Sequence, residues 1–280
     1  MRDPFKIDGP AVVSVSGGRT SGYMLHEIIR AHGGKLPADV IPVFCNTGKE
    51  REETLEFVDR MAREWGVRIV WLEYRHTKGV GPSFVEVDFG TASRDGEPLE
   101  AAITGPRGDS GFLPNPVVRY CTIETKILTA IRWVDAAKGW GSWTNAIGFR
   151  ADEPQRVAKL RASIREERED AVAPLVRARV TRTDVLAWWG GHSFDLGLGP
   201  DESNCDLCFL KKRGLILRAI YDEPDRADWW IRQEARGGKF RNDWPSYAAM
   251  KDRATRPALF PLEMLDDEPD ELSVACHCTD

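Results

Sequence analysis

The run Ala11-Val12-Val13-Ser14-Val15 stops on Ser16-Gly17-Gly18-Arg19-Thr20-Ser21, and helical spacing begins directly behind it. A short β-branched run of this kind predicts a buried strand. Met24, Leu25, Ile28 and Ile29 then fall on one helical face, and Gly33-Gly34 ends the pattern. The order repeats: a strand over Val40 to Phe44, a helix carrying Leu55, Val58, Met61, Ala62 and Trp65 on one face, and a strand over Val67 to Leu72. A β-α-β-α-β order forces parallel strands joined by right-handed crossovers. The expected fold class is therefore α/β: a parallel twisted sheet with helices on both faces.

The turn between the first strand and helix has its own chemistry. Gly17 and Gly18 permit backbone conformations and close approaches that a Cβ would block. The unpaired N–H groups of a helix start, with the helix dipole, attract an anion. Ser16, Thr20 and Ser21 add hydroxyls, and Arg19 adds a charged fork suited to phosphate. The spacing is neither that of the P-loop nor that of the dinucleotide fingerprint. A nucleotide phosphate on Ser16 to Ser21 is the expectation.

Farther along, residues 76–116 are rich in glycine and proline with little periodicity, and read as a long loop or lid-like insertion over the active face. Helical spacing returns over Glu124 to Ala137, a strand over Trp143 to Phe149, a charged segment over Glu153 to Arg168, and helices over Thr183 to Trp189 and Leu210 to Tyr221. The acidic tail after Pro257 reads as mobile. The division expected is a nucleotide-binding domain over 1–200 and a cysteine-containing C-terminal module over 201–280.

With 280 residues and a net charge of −5, the chain is large enough for one sizeable core and is not a nucleic-acid binder driven by bulk charge. No apolar run approaches the ~18 residues of a membrane span, and Met1 to Pro10 lacks the apolar core of a secretory signal, so a cytoplasmic protein is expected. No Gly-x-Ser-x-Gly elbow suggests a hydrolase. The adjacent tryptophans Trp188-Trp189 and Trp229-Trp230 read as core.

Cys205-Asp206-Leu207-Cys208 can hold one metal or one cluster, and a helix start with Lys211, Lys212 and Arg213 nearby would lower the thiol pKa values. Cys276-His277-Cys278 near the end offers a thiol that could act as a nucleophile or carry a persulfide, so Cys276 and Cys278 are catalytic candidates; an Arg after a strand and next to a glycine suits an anion site, which makes Arg150 a third. Cys45, at the end of an apolar strand, reads as buried and inert.

Five blocks in order resemble the PP-loop ATP pyrophosphatases, in their phosphoadenylyl-sulfate (PAPS) reductase-like branch, whose fold is adenine nucleotide alpha hydrolase-like. They are the Ser16–Ser21 loop, Asn46-Thr47-Gly48-Lys49-Glu50 leading to Glu53-Thr54, Arg119-Tyr120-Cys121-Thr122 followed by Lys126, Gly148-Phe149-Arg150-Ala151-Asp152-Glu153 with Arg156, and Ala173-Pro174-Leu175 followed by Thr183-Asp184-Val185. The family loop commonly reads Ser-Gly-Gly-Lys-Asp-Ser; here Arg19-Thr20 replaces Lys-Asp, and Asn46 stands where Asp is usual.

The resemblance implies ATP or an adenylyl-sulfate nucleotide, with Mg, across the carboxyl ends of the strands. Ser16 to Ser21 would hold phosphates, Asn46-Thr47-Gly48 would lie near the nucleotide, and Arg150 and Arg156 would contact anionic groups. It also implies a 4Fe-4S cluster on Cys121, Cys205 and Cys208, with structural zinc or a redox dithiol as alternatives. A fourth ligand would come from Cys276 or Cys278, or one iron would stay open.

The implied activity is ATP-dependent sulfur transfer. The acceptor class includes nucleic acid, as in DNA phosphorothioation or tRNA thiolation, and a sulfur-donor protein or a homo-oligomer would be a partner. A sulfonucleotide reductase that releases sulfite is the second reading, although the tail lacks the Glu-Cys-Gly-x-His motif. A non-catalytic nucleotide- and cluster-binding subunit of a larger complex is the third.

Overall fold

A computed structural model describes residues 3–105, 112–162, 167–199, 202 and 205–256. Strand β1 (Ala11–Val15) enters helix α1 (Arg19–Ala31), followed by β2 (Val40–Asn46), α2 (Glu52–Glu64) and β3 (Val70–Thr77). An antiparallel partner, β4 (Gly81–Val87), and a short helix, α3 (Glu97–Thr104), come next. A continuous helical segment over 120–138 comprises α4 (Tyr120–Thr122), a π turn (Ile123–Leu128), α5 (Thr129–Trp133) and a second π turn (Val134–Lys138). Then follow β5 (Trp143–Ala146), α6 (Pro154–Ala162), β6 (Glu169–Val172), α7 (Pro174–Arg177) and α8 (Arg182–Trp189). Helices α9 (Arg213–Asp222), α10 (Asp228–Glu234) and α11 (Tyr247–Thr255) complete the described chain.

The six strands form one sheet in the order β4-β3-β2-β1-β5-β6, parallel except for the edge strand β4. Alternation along each strand separates two faces. Val13, Val15, Phe44 and Trp71 pack with Met24, Leu25, Ile28, Leu55, Val58 and Met61 of α1 and α2. Val12, Val43, Cys45, Val70 and Leu72 pack on the other side against Ile131, Trp133 and Val134 of the 120–138 segment. The α/β class expected from the first 72 residues is what forms, with helices on both faces.

A third core joins α9, α10 and α11 through Leu217, Trp229, Trp230, Phe240, Trp244 and Tyr247. It also takes in Leu99, Ile103, Leu113 and Tyr120, so it draws on residues from both sides of position 200.

One expectation needs correction. The described part of 76–116 is not an irregular lid: β4 pairs along β3 from Trp71↔Val87 to Thr77↔Gly81, and α3 buries Leu99, Ala102 and Ile103. The periodicity was weak because β4 is a half-exposed edge strand and α3 has only eight residues. The charged segment over Glu153 to Arg168 contains the helix α6, and its described residues over 153–159 are partly or fully exposed, as a charged segment should be. The tail after position 256, with its expected mobility, lies outside the described residues.

Candidate nucleotide and cysteine site

β1 is an interior strand of the sheet, between β2 and β5. The chain leaves it toward β2 on one side and returns to β5 on the other. The loops after β1 and β5 therefore part at their carboxyl ends, and ligands of open α/β sheets bind in the crevice at such a switch point. Gly17 adopts φ 80°, and a Cβ there would stand 2.5 Å from Thr54 Cγ2. Gly148, just beyond β5, lies so near the start of α1 that a Cβ would stand 3.3 Å from Ser21 Cα.

Within the loop, the Ser21 hydroxyl accepts from Ser16 N–H at 3.1 Å and from the Ser16 hydroxyl at 3.0 Å, and donates to Gly18 C=O at 3.0 Å. The two serines thus close the turn on itself. No side chain caps α1, whose N-cap is Gly18, so its first-turn N–H groups face the crevice without a side-chain acceptor. The Thr54 hydroxyl beneath Gly17 is buried with no hydrogen-bond partner among the described residues.

Arg19, expected on phosphate, turns away. Its Nε donates to Asp195 at 2.7 Å, and its second guanidinium nitrogen donates to Leu198 C=O at 2.7 Å. Desolvation would raise the Asp195 carboxyl, but the hydrogen bonds from Arg19 and from the Leu196 and Gly197 N–H groups, with the Arg19 charge, hold it below the ordinary value. Trp189 Nε1 donates to Arg19 C=O at 2.8 Å, which ties α8 to the loop.

Arg150 is only 5% exposed and crosses the crevice: one guanidinium nitrogen donates to Thr20 Oγ1 at 3.1 Å, and Nε donates to Asp152 at 3.0 Å. Arg150 thus pairs within its own loop and also contacts the phosphate loop. Arg156 donates to Glu153 at 2.5 Å and stacks 4.3 Å from the Phe149 ring centroid.

Asn46, Thr47 and Gly48 follow β2. The Asn46 amide donates to Glu73 Oε1 at 2.7 Å and to Ser93 C=O at 2.8 Å, while its oxygen accepts from Gly48 N–H at 3.0 Å. Glu50 accepts from Thr47 N–H at 2.8 Å, from the Thr47 hydroxyl at 2.7 Å and from Lys126 Nζ at 3.3 Å. Both polar ends of Asn46 are thus spent inside the protein.

The same segment is stitched to the cysteine turn. Glu50 and Cys205 form an antiparallel bridge, and Asp206 N–H donates to Lys49 C=O at 2.6 Å. Cys121, Cys205 and Cys208 all pack in the third core, and all are thiols. Burial pushes the Cys121 thiol up, and the charge of nearby Cys205 pushes it the same way. The expectation that a helix start lowers the thiol pKa values needs correction in its geometry: a turn follows Cys208, and α9 starts only at Arg213.

Among the described residues, no three His, Cys, Asp or Glu side chains close around a single ion. A lone zinc needs its ligands on one centre, whereas a four-iron cluster spreads them over separate irons. Cys121 lies within electrostatic range of Cys205, and both stand in one core with Cys208. Cys276 and Cys278 lie outside the described residues. Cys45 is buried, and burial pushes its thiol up to about 12.

Three contributors carried no motif: Glu73, Asp195 and Trp189. For Glu73 the signal was an acid inside the apolar run Val70-Trp71-Leu72-Glu73-Tyr74. Asp195 and Trp189 reach the loop only through the tertiary fold, and no signal in the sequence marks them. A cavity of about 320 Å³ beside Trp65, Arg68, Glu86 and Trp133 opens at the other, amino ends of the strands, away from this site.

No family model matches the chain. It is 29% identical over 228 residues to an uncharacterized nin region protein, ORF290, of Escherichia phage lambda, covering 76% of this chain and 70% of that protein. Among solved structures, it is similar to the U34-tRNA thiolase NcsA of Methanococcus maripaludis with its 4Fe-4S cluster, at 14% identity and a TM-score of 0.39 over 66% of this chain. The chain spans 57% of that thiolase's length. It is also similar to the phosphoadenylyl-sulfate (PAPS) reductase of Candida auris in its phosphate complex, at 16% identity and a TM-score of 0.41, covering 68% of this chain and 79% of that one.

Proposed function

We propose that this protein is an ATP-dependent sulfurtransferase of the PP-loop type, which adenylates an oxygen of its acceptor, releases pyrophosphate and lets a sulfur nucleophile displace AMP. The observation that carries this reading is the junction of Lys49 and Glu50 with Cys205 and Asp206, which sets the thiols beside a loop of the nucleotide crevice.

The chain's own residues serve the first half by position and charge. The first-turn N–H groups of α1 receive phosphate, Gly17 and Gly18 let it approach the backbone, and Arg150 braces Thr20 from across the crevice. Preorganised N–H groups need no reorientation as charge moves onto the departing pyrophosphate. Cys121, Cys205 and Cys208 would hold a 4Fe-4S cluster. When bound, such a cluster supplies an iron position for inorganic sulfur.

The test is anaerobic purification of wild type and Cys205→Ala, with iron, sulfide and zinc quantified. Pyrophosphate release from ATP is then assayed with nucleic-acid acceptors. Stoichiometric iron and sulfide that vanish in the variant, with acceptor-dependent pyrophosphate release, are expected. Zinc, or no metal, overturns the cluster. Sulfite release from adenylyl-sulfate with a thiol donor, without ATP turnover, overturns sulfur transfer in favour of reduction.

A further inference from the structure

Lys49 is a buried lysine with no carboxylate at ion-pair distance among the described residues. The residue is 9% exposed, and its Nζ sits 5.4 Å from the centroid of the Trp229 ring. Its stem is pressed on Gly96: a Cβ on that glycine, which has φ 81°, would stand 2.8 Å from Lys49 Cδ and 2.5 Å from Trp229 Nε1. Among the described residues, no carboxylate lies within ion-pair distance of Nζ, and no acceptor takes a hydrogen bond from it.

The neighbouring acids are committed elsewhere. Glu50 is held by Thr47 and Lys126, and Asp206 by Arg226. The Lys49 nitrogen is not among the fully buried polar atoms that lack a partner, so it still meets solvent while its stem does not. Burying most of a cation with only an aromatic face for company is costly, and an anion on its open side removes that cost.

The Lys49 backbone carbonyl is the acceptor for Asp206 N–H, so the residue stands on the seam between the loop after β2 and the Cys205–Cys208 turn, and its side chain runs from there to Gly96 and Trp229. We infer that the Lys49 ammonium is a binding group for a compact anion at this seam, taking the end of the nucleotide's phosphate chain or an inorganic sulfur anion. This rests on the function proposed above, and it adds a specificity-determining residue that the cysteine and glycine motifs do not contain.

The test is calorimetric titration of the full chain, kept anaerobic, with thiosulfate, with pyrophosphate and with ATP, for wild type, Lys49→Met and Lys49→Arg. Methionine keeps the stem packed on Gly96 and removes the charge. Wild type should bind at least one of the two inorganic anions. Lys49→Met should weaken that binding tenfold or more with an unchanged thermal midpoint, and Lys49→Arg should recover most of it.

A loss confined to pyrophosphate identifies the phosphate chain as the ligand, and a loss confined to thiosulfate identifies the sulfur species. No binding of either anion by wild type, or less than a twofold change in Lys49→Met, overturns the inference. The ATP arm separates the two readings. Thiosulfate binding without ATP binding removes the nucleotide function and leaves Lys49 standing. ATP binding with both anions indifferent to Lys49→Met does the reverse.

Discussion

Asn46 and Glu73 face each other across the parallel β2–β3 pair, with the Asn46 amide donating to Glu73 Oε1 at 2.7 Å. Glu73 is fully buried and accepts further hydrogen bonds from Ser93 N–H at 2.6 Å, the Ser93 hydroxyl at 2.8 Å and Arg75 at 2.8 Å. A carboxylate at position 46 would present an acceptor to an acceptor. An aspartate at position 46 is therefore disfavoured opposite Glu73. Asn46→Asp should cost about 1–3 kcal/mol, the scale of a buried hydrogen bond turned into an unsatisfied polar contact. Asn46→Asp combined with Glu73→Gln, which restores a donor opposite an acceptor, should recover part of that loss. Urea denaturation of the four proteins in the cycle measures the coupling, and strict additivity would show that the pair is not coupled.

Gly17 is constrained twice, by its positive φ and by Thr54 Cγ2. Gly17→Ala should destabilise the fold by about 1–2 kcal/mol from the left-handed backbone alone. The steric contact with Thr54 adds to this and moves the loop, so nucleotide affinity should fall more than tenfold. Denaturation and ATP titration read the two effects separately. An alanine variant that keeps wild-type affinity would remove the loop from the nucleotide site.

The Arg19–Asp195 pair sets a pH dependence. Asp195 is held below its ordinary value in the fold, so its stabilising contribution is present above the unfolded carboxyl pKa, about 3.9, and is lost as pH falls through the lower folded value. Asp195→Asn should therefore be less stable than wild type at neutral pH, and the gap should close as the pH drops below about 4. Denaturation midpoints of both proteins from neutral pH into the acid range check this. A gap that widens on acidification would contradict the assignment.

Helix α8 begins on a capping box: Thr181 Oγ1 accepts from Asp184 N–H, and the Asp184 carboxylate accepts from Thr181 N–H at 2.8 Å. The helix ends at Trp189, whose indole N–H reaches Arg19 C=O in the phosphate loop. Thr181→Ala should cost about 1 kcal/mol. Because Trp189 remains packed at 2% exposure, ATP affinity should change by less than the tenfold expected of Gly17→Ala. Equal losses of affinity in the two variants would mean that the α8 start, not the glycine turn, controls the loop.

Local patterning was sufficient for the parts of this protein that are local. Ala11 to Val15 and the glycine turn behind it specify a strand, a turn and a helix start, because β-branched runs, Gly17's positive φ and the Met24-Leu25-Ile28-Ile29 spacing each act within a few residues. The apolar run over Val40 to Phe44 likewise placed Cys45 at a buried strand end. What patterning could not supply was partner choice between distant segments. Whether Arg19 faces phosphate or Asp195, whether Arg150 reaches Thr20, and why position 46 is Asn are decided by side chains 176, 130 and 27 residues away. Nor could it show that Cys121 joins Cys205 and Cys208 in one core, or that the Cys205 turn is stitched to Lys49 and Glu50. Hydrogen bonds and counter-ions are satisfied by whatever the closed sheet and the α9–α11 core bring within 3 Å or so. That proximity is a property of the tertiary fold and leaves no periodic mark on the chain.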